Sequence, residues 1–199
     1  MTDIDNPTRR KLLMSSLLLP LATGAGALIS PATAASEAGS KTLVAYFSRS
    51  GNTRTIAGLL SRDLKADLFD IEPATPYPAD YSETVEQAKK ERERDYLPPL
   101  KAVAPDLTTY DAVYLGFPVW GGSAPPIIRS FLAAHDFAGT AIVPFNLHGG
   151  YGLGDSLEVI TRAAPRARFA EGFLMEGLQE RRTTENVRKW LTKLSVNAQ

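Results

Sequence analysis

The chain has 199 residues, and its 22 Lys and Arg balance 22 Asp and Glu, so the formal net charge is zero. At about 150 residues per domain this length indicates roughly one domain, and the balanced charge gives no support for nucleic-acid binding, which usually shows as a basic excess. The absence of cysteine excludes disulfides, thiolate metal sites, iron–sulfur clusters and cysteine nucleophiles, and two histidines leave little for a histidine-rich metal site, so a bound cofactor or metal would have to carry any redox chemistry.

The N-terminal segment predicts an export signal. A twin-arginine pair at residues 9–10 precedes an apolar stretch over 12–29, and Ala32–Ala34 has the A-x-A form that a signal peptidase accepts. The segment resembles a twin-arginine translocation signal. We therefore expect residues 1–34 to be removed and the protein to be periplasmic or otherwise extracytoplasmic, with no stable membrane span after cleavage. The alternative is an uncleaved transmembrane helix, which the proline and glycines within the apolar stretch disfavour.

Beyond the signal, short apolar segments alternate with segments whose apolar residues recur at helical spacing, which predicts strands and helices in turn. In chain order we predict strand 41–48, helix 53–64, strand 66–73, helix 81–94, strand 111–122, helix 125–136, a strand from 139 into a glycine-rich loop ending at 154, helix 155–164, strand 167–177 and helix 183–194. This alternation predicts a parallel sheet with helices on both faces, and right-handed crossovers make a doubly wound α/β sheet the natural arrangement. Ligands bind such sheets beyond the carboxyl ends of the strands.

The segment between the second and third strands, 73–106, carries charge of both signs. Its helix begins at a capping-box signal formed by Asp80 and Glu83. The charge run KKERERD over 89–95 is typical of a solvated helix face.

The loop after the first strand predicts an anion site. It consists of Ser48, Arg49, Ser50, Gly51, Asn52 and Thr53. Amides at a helix N-terminus bind anions, the hydroxyls add donors, and Gly51 lets the backbone approach closely. The loop lacks the lysine of a nucleoside-triphosphate P-loop, and no G-x-G-x-x-G follows the signal, so a dinucleotide fold is not supported. The alternative is a polar turn with an ordinary cap.

A family resemblance begins at this loop. The run VAYFSRSGNTRTIA over 44–57 resembles the phosphate loop of flavodoxins, whose pattern is [ST]-x-[ST]-G-x-T after the first strand, and the similarity extends over 41–194. GFPVWGGSAPPIIRSFL and FNLHGGYGLGDS resemble the two loops that flank the flavin in this family. The resemblance implies a five-stranded parallel sheet of order 2-1-3-4-5, in a domain over 41–195, that binds FMN with its phosphate in the first loop.

The resemblance also assigns cofactor contacts to the second and third loops. These are Pro118, Val119, Trp120, Gly121 and Gly122, and Asn146, Leu147, His148, Gly149, Gly150, Tyr151 and Gly152. Trp120 offers a large flat partner for the flavin ring, or is instead a core tryptophan. His148 is a donor to the flavin or only a polar loop residue, and Tyr151 is a second possible aromatic partner. Trp190, on the last helix, is expected to pack in the core.

Two functions follow from the resemblance. The first is an electron carrier that holds FMN and exchanges electrons with a redox partner protein or a small-molecule acceptor. The alternative is an FMN-dependent NAD(P)H quinone or nitro reductase, in which the cofactor carries the chemistry and His148 or Tyr151 donates a proton. The intact phosphate loop disfavours a flavin-less relative. No catalytic residue and no metal site are assigned. Residues 118–124 and 146–154 of these loops include no acidic residue, so we expect a less negative potential than acidic flavodoxins have.

Overall fold

The computed structural model describes residues 41–177 and 187–194. The predicted export signal and the start of the predicted last helix lie outside these residues. The division into a signal over 1–34 and a domain over 41–195 therefore stays a prediction. No helix within the described ranges is long and apolar enough to cross a membrane.

Strands and helices alternate along the chain as predicted, with ends that differ by a few residues. In order they are β1 (Thr42–Tyr46), α1 (Asn52–Leu64), β2 (Asp67–Asp70), α2 (Tyr81–Glu93), a 3-10 turn (Leu107–Thr109), β3 (Ala112–Pro118), α3 (Pro126–Ala134), β4 (Ala141–His148), α4 (Ser156–Ala163), β5 (Arg168–Phe169), β6 (Phe173–Glu176) and α5 (residues 187–194). The strands are parallel, and the order β2-β1-β3-β4-β5 confirms the predicted doubly wound α/β sheet.

Helices cover both faces of the sheet. Successive side chains of a strand point to opposite faces, and in this sheet both sets are apolar. On β1, Leu43 and Ala45 point to one face and pack in a cluster that includes residues of α2, α3 and α4. Val44 and Tyr46 point to the other face and pack with residues of α1 and α5. Trp190, on α5, lies in this second cluster, which confirms that it packs in the core. Both faces are thus apolar, and ligand-binding groups are left to the ends of the strands.

The fifth strand differs from its prediction because it is broken in two. Ile142 pairs with Phe169 in β5, whereas Phe145 pairs with Phe173 in β6, so the outer strand contains one extra residue between the two pairs. Pro144 explains the break. Ile142 accepts a hydrogen bond from the outer strand through its carbonyl, and Pro144, two residues on, faces the same way but has no N–H to donate.

The charge run of α2 is not fully solvated, which corrects the prediction for two of its residues. Glu91 is buried, and its carboxylate accepts hydrogen bonds from the Tyr77 hydroxyl and from Gln87, both at 2.8 Å. Burial, reinforced by the bond to Glu91, raises the pKa of Tyr77. Arg92 is half-buried, and its guanidinium turns toward the neighbouring helices. The rest of the run is exposed.

Candidate functional site

The three predicted loops meet around one cavity of about 260 Å³ at the carboxyl ends of β1, β3 and β4. Its walls are Ser48, Arg49, Ser50, Asn52, Thr53, Tyr81, Pro118, Val119, Trp120, Leu147, His148, Gly149 and Gly177. The remaining predicted residues, which are Gly51, Gly121, Gly122, Asn146, Gly150, Tyr151 and Gly152, belong to the same loops but do not line this cavity. The cavity lies where the strand order reverses, as expected for a doubly wound sheet.

The first loop presents the N-terminus of α1 to the cavity. Gly51 is the N-cap, with a φ of 92°, and no side chain caps the helix. The Ser48 hydroxyl accepts a hydrogen bond from the Gly51 amide at 3.1 Å, which folds the loop back on itself. The amides of the first turn lack intrahelical acceptors, so together with the positive end of the helix dipole they form an anion site.

Arg49 and Tyr81 close one side of this loop. The Arg49 guanidinium donates to the Ala79 carbonyl and lies 5.9 Å from the centroid of the Tyr81 ring, within cation–π range. Tyr81 begins α2 because the Asp80 carboxylate accepts from the Glu83 amide at 2.9 Å, as the capping-box signal predicts. The Tyr81 side chain was missed as a cavity residue, since nothing in a capping motif indicates which loop the helix end will meet.

Trp120 is a core residue at the edge of the cavity. Its ring is only 2% exposed and packs edge-on against Phe47 and Tyr77, with centroids 5.2 and 5.0 Å away. The turn from Trp120 to Ser123 is closed by hydrogen bonds in both directions, and Gly121 and Gly122 have φ values of 57° and 76°. These values are typical of a type I′ turn. These contacts favour the core interpretation of Trp120, although the residue also lines the cavity; its contact with a flavin ring stays a prediction.

Backbone contacts join the second loop to its neighbours. The Val119 amide donates to the Leu147 carbonyl at 2.8 Å, so the second and third loops run side by side. The Asp155 amide donates to the Gly122 carbonyl at 2.9 Å, and a Cβ on Gly154 would lie 1.8 Å from that carbonyl oxygen. Only glycine allows this approach. The loops therefore form one unit around the cavity.

His148 organises the third loop. Its Nδ1 accepts hydrogen bonds from the Gly150 and Gly152 amides at 3.0 and 3.2 Å. Because amides only donate, Nδ1 is unprotonated and the proton of the neutral ring lies on Nε2. The ring also lines the cavity, so His148 both holds the loop and retains one donor. Tyr151, at the loop tip, is 92% exposed.

Two residues beyond the predicted loops complete the surroundings. Glu176 pairs in register with His148, and its Oε1 lies 3.4 Å from where a Cβ on Gly150 would be. The Gly177 amide donates to the His148 carbonyl at 3.1 Å, and Gly177 lines the cavity. A carboxylate thus approaches a loop that contains no acidic residue. The sequence does not indicate this approach, because the register that sets Glu176 opposite His148 appears only in the pairing of β6 with β4.

Asn146 has a structural role. Its side chain is buried, and its Nδ2 donates to the Phe117 carbonyl at 3.3 Å, which ties β4 to β3 below the cavity. The side chain does not line the cavity, and the predicted cofactor contact of Asn146 stays a prediction. Within the described part of the chain no group of three or more His, Asp or Glu could hold a metal ion.

The comparisons with known proteins agree with this geometry. Residues 41–194 match the family model for flavodoxin. A candidate flavoprotein from Bacteroides eggerthii is 32% identical, with 78% of this chain and 98% of that chain covered and a TM-score of 0.67. A second candidate flavoprotein, from Bacteroides uniformis, is 30% identical, with 75% of this chain and 99% of that chain covered and a TM-score of 0.66. A Lactobacillus acidophilus flavoprotein in complex with FMN shares the fold, with 20% identity, 76% and 98% coverage and a TM-score of 0.62. No curated protein matches the chain.

Proposed function

Because the chain belongs to the flavodoxin family, we propose that it binds FMN in the cavity between the three loops and acts in electron transfer. The observation that carries the proposal is the uncapped N-terminus of α1, which faces a cavity lined by hydroxyls. When bound, FMN supplies reversible acceptance of electrons, a chemistry that the side chains of this protein lack. The protein would bind and orient the cofactor.

The first loop fits a phosphate. Ser48, Ser50 and Thr53 supply hydroxyls around the α1 N-terminus, and no atom lies within 4 Å of where a Cβ on Gly51 would be. The open space beside Gly51 lets an anion approach the backbone. Arg49 adds a positive charge at the rim, although its guanidinium already donates to Ala79. Hydroxyls, amides and one arginine would therefore hold the phosphate without a lysine.

The second and third loops fit a flat ring. Pro118, Val119 and Leu147 supply the apolar part of the cavity wall, against which a flat ring can pack. Since Trp120 is packed in the core, the exposed aromatic ring of Tyr151 is the candidate that covers the flavin from the solvent side. His148 would donate a hydrogen bond from Nε2 while its Nδ1 keeps the loop in shape.

Absorbance and turnover of the purified full-length protein test this function. We expect a yellow protein with an FMN spectrum, no steady-state oxidation of NADH or NADPH in the presence of a quinone, and reversible reduction by a protein or small-molecule partner. A colourless protein that does not take up added FMN would contradict the binding proposal. His148, which lines the cavity, supports the alternative, a reductase with a proton donor, and rapid NAD(P)H turnover that is lost in His148→Gln would favour it.

We propose further that residues 1–34 direct export of the folded protein by the twin-arginine route. The support is the twin-arginine pair, the mild apolar stretch and the A-x-A site in the sequence. Replacing Arg9 and Arg10 with lysine should leave unprocessed protein in the cytoplasm, while Lys11→Arg serves as a control that keeps the pair. Normal processing and export of the double variant would contradict the route.

A further inference from the structure

The chain contains two histidines, and both accept hydrogen bonds from backbone amides. Nδ1 of His148 accepts from two amides of its own loop, whereas Nε2 of His135 accepts from the Ala104 amide at 3.1 Å. Nδ1 of His135 lies 2.7 Å from the Phe131 carbonyl oxygen, to which it donates, because a carbonyl only accepts. Both rings are therefore neutral, and they carry their protons on opposite nitrogens.

The shape of the third loop depends on the imidazole of His148. Gly150 and Gly152 have φ values of 106° and 73°, in a region that favours glycine. In this conformation both amides point at Nδ1, at 3.0 and 3.2 Å. The ring is half-buried and lines the cavity together with its neighbours Leu147 and Gly149. A hydrogen-bond acceptor on His148 thus holds the backbone that forms one wall of the FMN cavity.

A protonated ring is incompatible with this loop conformation. Imidazolium carries an N–H on both nitrogens, so Nδ1 of His148 would have no lone pair to offer and the two amides would lose their acceptor. Imidazole is the side chain that ordinarily changes charge between about pH 5 and 8. Acid in this range therefore removes the hydrogen bonds that shape the third loop.

Charged neighbours act on the ring in both directions. Glu176, next to His148 in the sheet register, attracts a proton to the ring, whereas Arg49, which lines the same cavity, repels one. The other ionisable groups of the loop and the cavity, among the described residues, are the phenols of Tyr81 and Tyr151. Carboxylates, guanidinium groups and phenols ordinarily change charge outside the range of about pH 5 to 8. A change within this range is therefore assigned to the imidazole.

We propose that the unprotonated imidazole of His148 positions the third loop, and that its protonation releases the loop and weakens FMN binding, so that retention of the cofactor depends on pH. The inference rests on the proposed function, because it takes this cavity as the FMN site. When the ring is protonated in the free protein, it must lose that proton before the loop can close on FMN. One such proton lowers the affinity by at most about tenfold for each pH unit.

Titration of flavin with the full-length protein at several pH values between about 5 and 8, followed by quenching of flavin fluorescence, tests the proposal. We expect the dissociation constant of FMN to be about tenfold higher at the acid end than at the alkaline end of this range. A phosphate monoester itself takes up a proton near about pH 6. Riboflavin, which has no phosphate, is therefore titrated in parallel, and its affinity should fall to a similar extent.

Variants separate the acceptor of His148 from its charge. His148→Asn offers an amide oxygen in place of Nδ1 but does not titrate, so it should bind flavin more tightly than His148→Ala at about pH 8 and lose the dependence of riboflavin affinity on pH. His148→Ala lacks the acceptor and should bind FMN about tenfold more weakly than the parent at about pH 8. His135→Gln is the matched control, because this histidine does not line the cavity. It should keep the pH dependence of the parent.

Imidazole ¹H–¹⁵N spectra of the full-length protein without added FMN give a measurement that does not depend on the cofactor. At about pH 8 His148 should have an unprotonated Nδ1 and His135 an unprotonated Nε2, and a protonated Nδ1 on His148 would overturn the proposal. So would riboflavin affinity that is equal across the pH range, or a pH dependence that persists in His148→Asn, and either result would leave FMN binding intact. Absence of FMN binding at any pH would refute the proposed function and this inference together.

Discussion

Replacing Trp120 with alanine should unfold the protein more readily rather than weaken cofactor binding directly. The indole is 2% exposed and contacts two aromatic rings at about 5 Å. Truncating such a side chain costs about 3–5 kcal/mol of unfolding free energy, from lost burial and the cavity left behind. At roughly 2–4 °C per kcal/mol for a chain of this size, the melting temperature should fall by about 6–20 °C. Thermal melts of the apoproteins, followed by circular dichroism, measure the loss.

Tyr151→Ala is the matched control, because this aromatic residue belongs to a neighbouring loop but is exposed. Its removal should change the melting temperature by no more than about 2 °C. FMN affinity, measured by quenching of flavin fluorescence, should fall by up to about tenfold, since offset stacking contributes roughly 0.5–1.5 kcal/mol. The argument fails if Trp120→Ala melts like the parent while losing FMN affinity, since that result would mean that the indole faces the flavin and not the core.

The remaining predictions concern the phosphate, the potential and pH. Ser50→Ala should lower the affinity for FMN by about one to two decades and leave the affinity for riboflavin unchanged, because it removes one hydrogen bond to the charged phosphate. An equal loss of riboflavin affinity would indicate that Ser50 has a structural role. Glu176→Gln should raise the reduction potential by roughly 10–40 mV, as one nearby negative charge is lost, and an unchanged redox titration would exclude this carboxylate as a determinant. Burial, together with a 2.7 Å hydrogen bond to Asp67, raises the pKa of Tyr110 from 10.0 to about 12. Its contribution to stability is thus complete below pH 10 and is lost as the pH rises toward about 12. Urea unfolding at several pH values between about 9 and 11 measures this contribution. The free energy of unfolding should fall less steeply with pH in Tyr110→Phe than in the parent protein, and an equal fall in both would contradict the contribution.

The order of strands and helices followed from the sequence because its signals are local. Apolar segments such as 42–46 and the helical spacing within 52–64 need no distant partner to be recognised. Once five strands alternate with helices, chain connectivity and handedness leave few arrangements. The three loops around the cavity followed for the same reason, since the carboxyl ends of parallel strands meet at one edge.

The break in the outer strand depends on two strands at once. Pro144 is visible in the sequence, yet its effect appears only when β5 and β6 pair with β4, because Pro144 has no N–H to donate to the outer strand. The position of Trp120 likewise depends on residues that are distant in the sequence. A tryptophan beside two glycines is compatible with both a ring-stacking and a core interpretation, and the positions of Phe47 and Tyr77, which favour the core, appear only in the tertiary structure.

Thus the sequence by itself determined the α/β class and the three loops that surround the cavity, because periodicity, turn residues and connectivity are properties of neighbouring residues, whereas the strand order was implied by the resemblance to flavodoxins. Only the tertiary structure decided which side chains surround the cavity and its loops. Tyr81, Glu176 and Arg92 lie far along the chain from the loops they approach. Their places depend on how helices and strands pack, and burial, charge and hydrogen bonding act on distances in space rather than on separation in sequence.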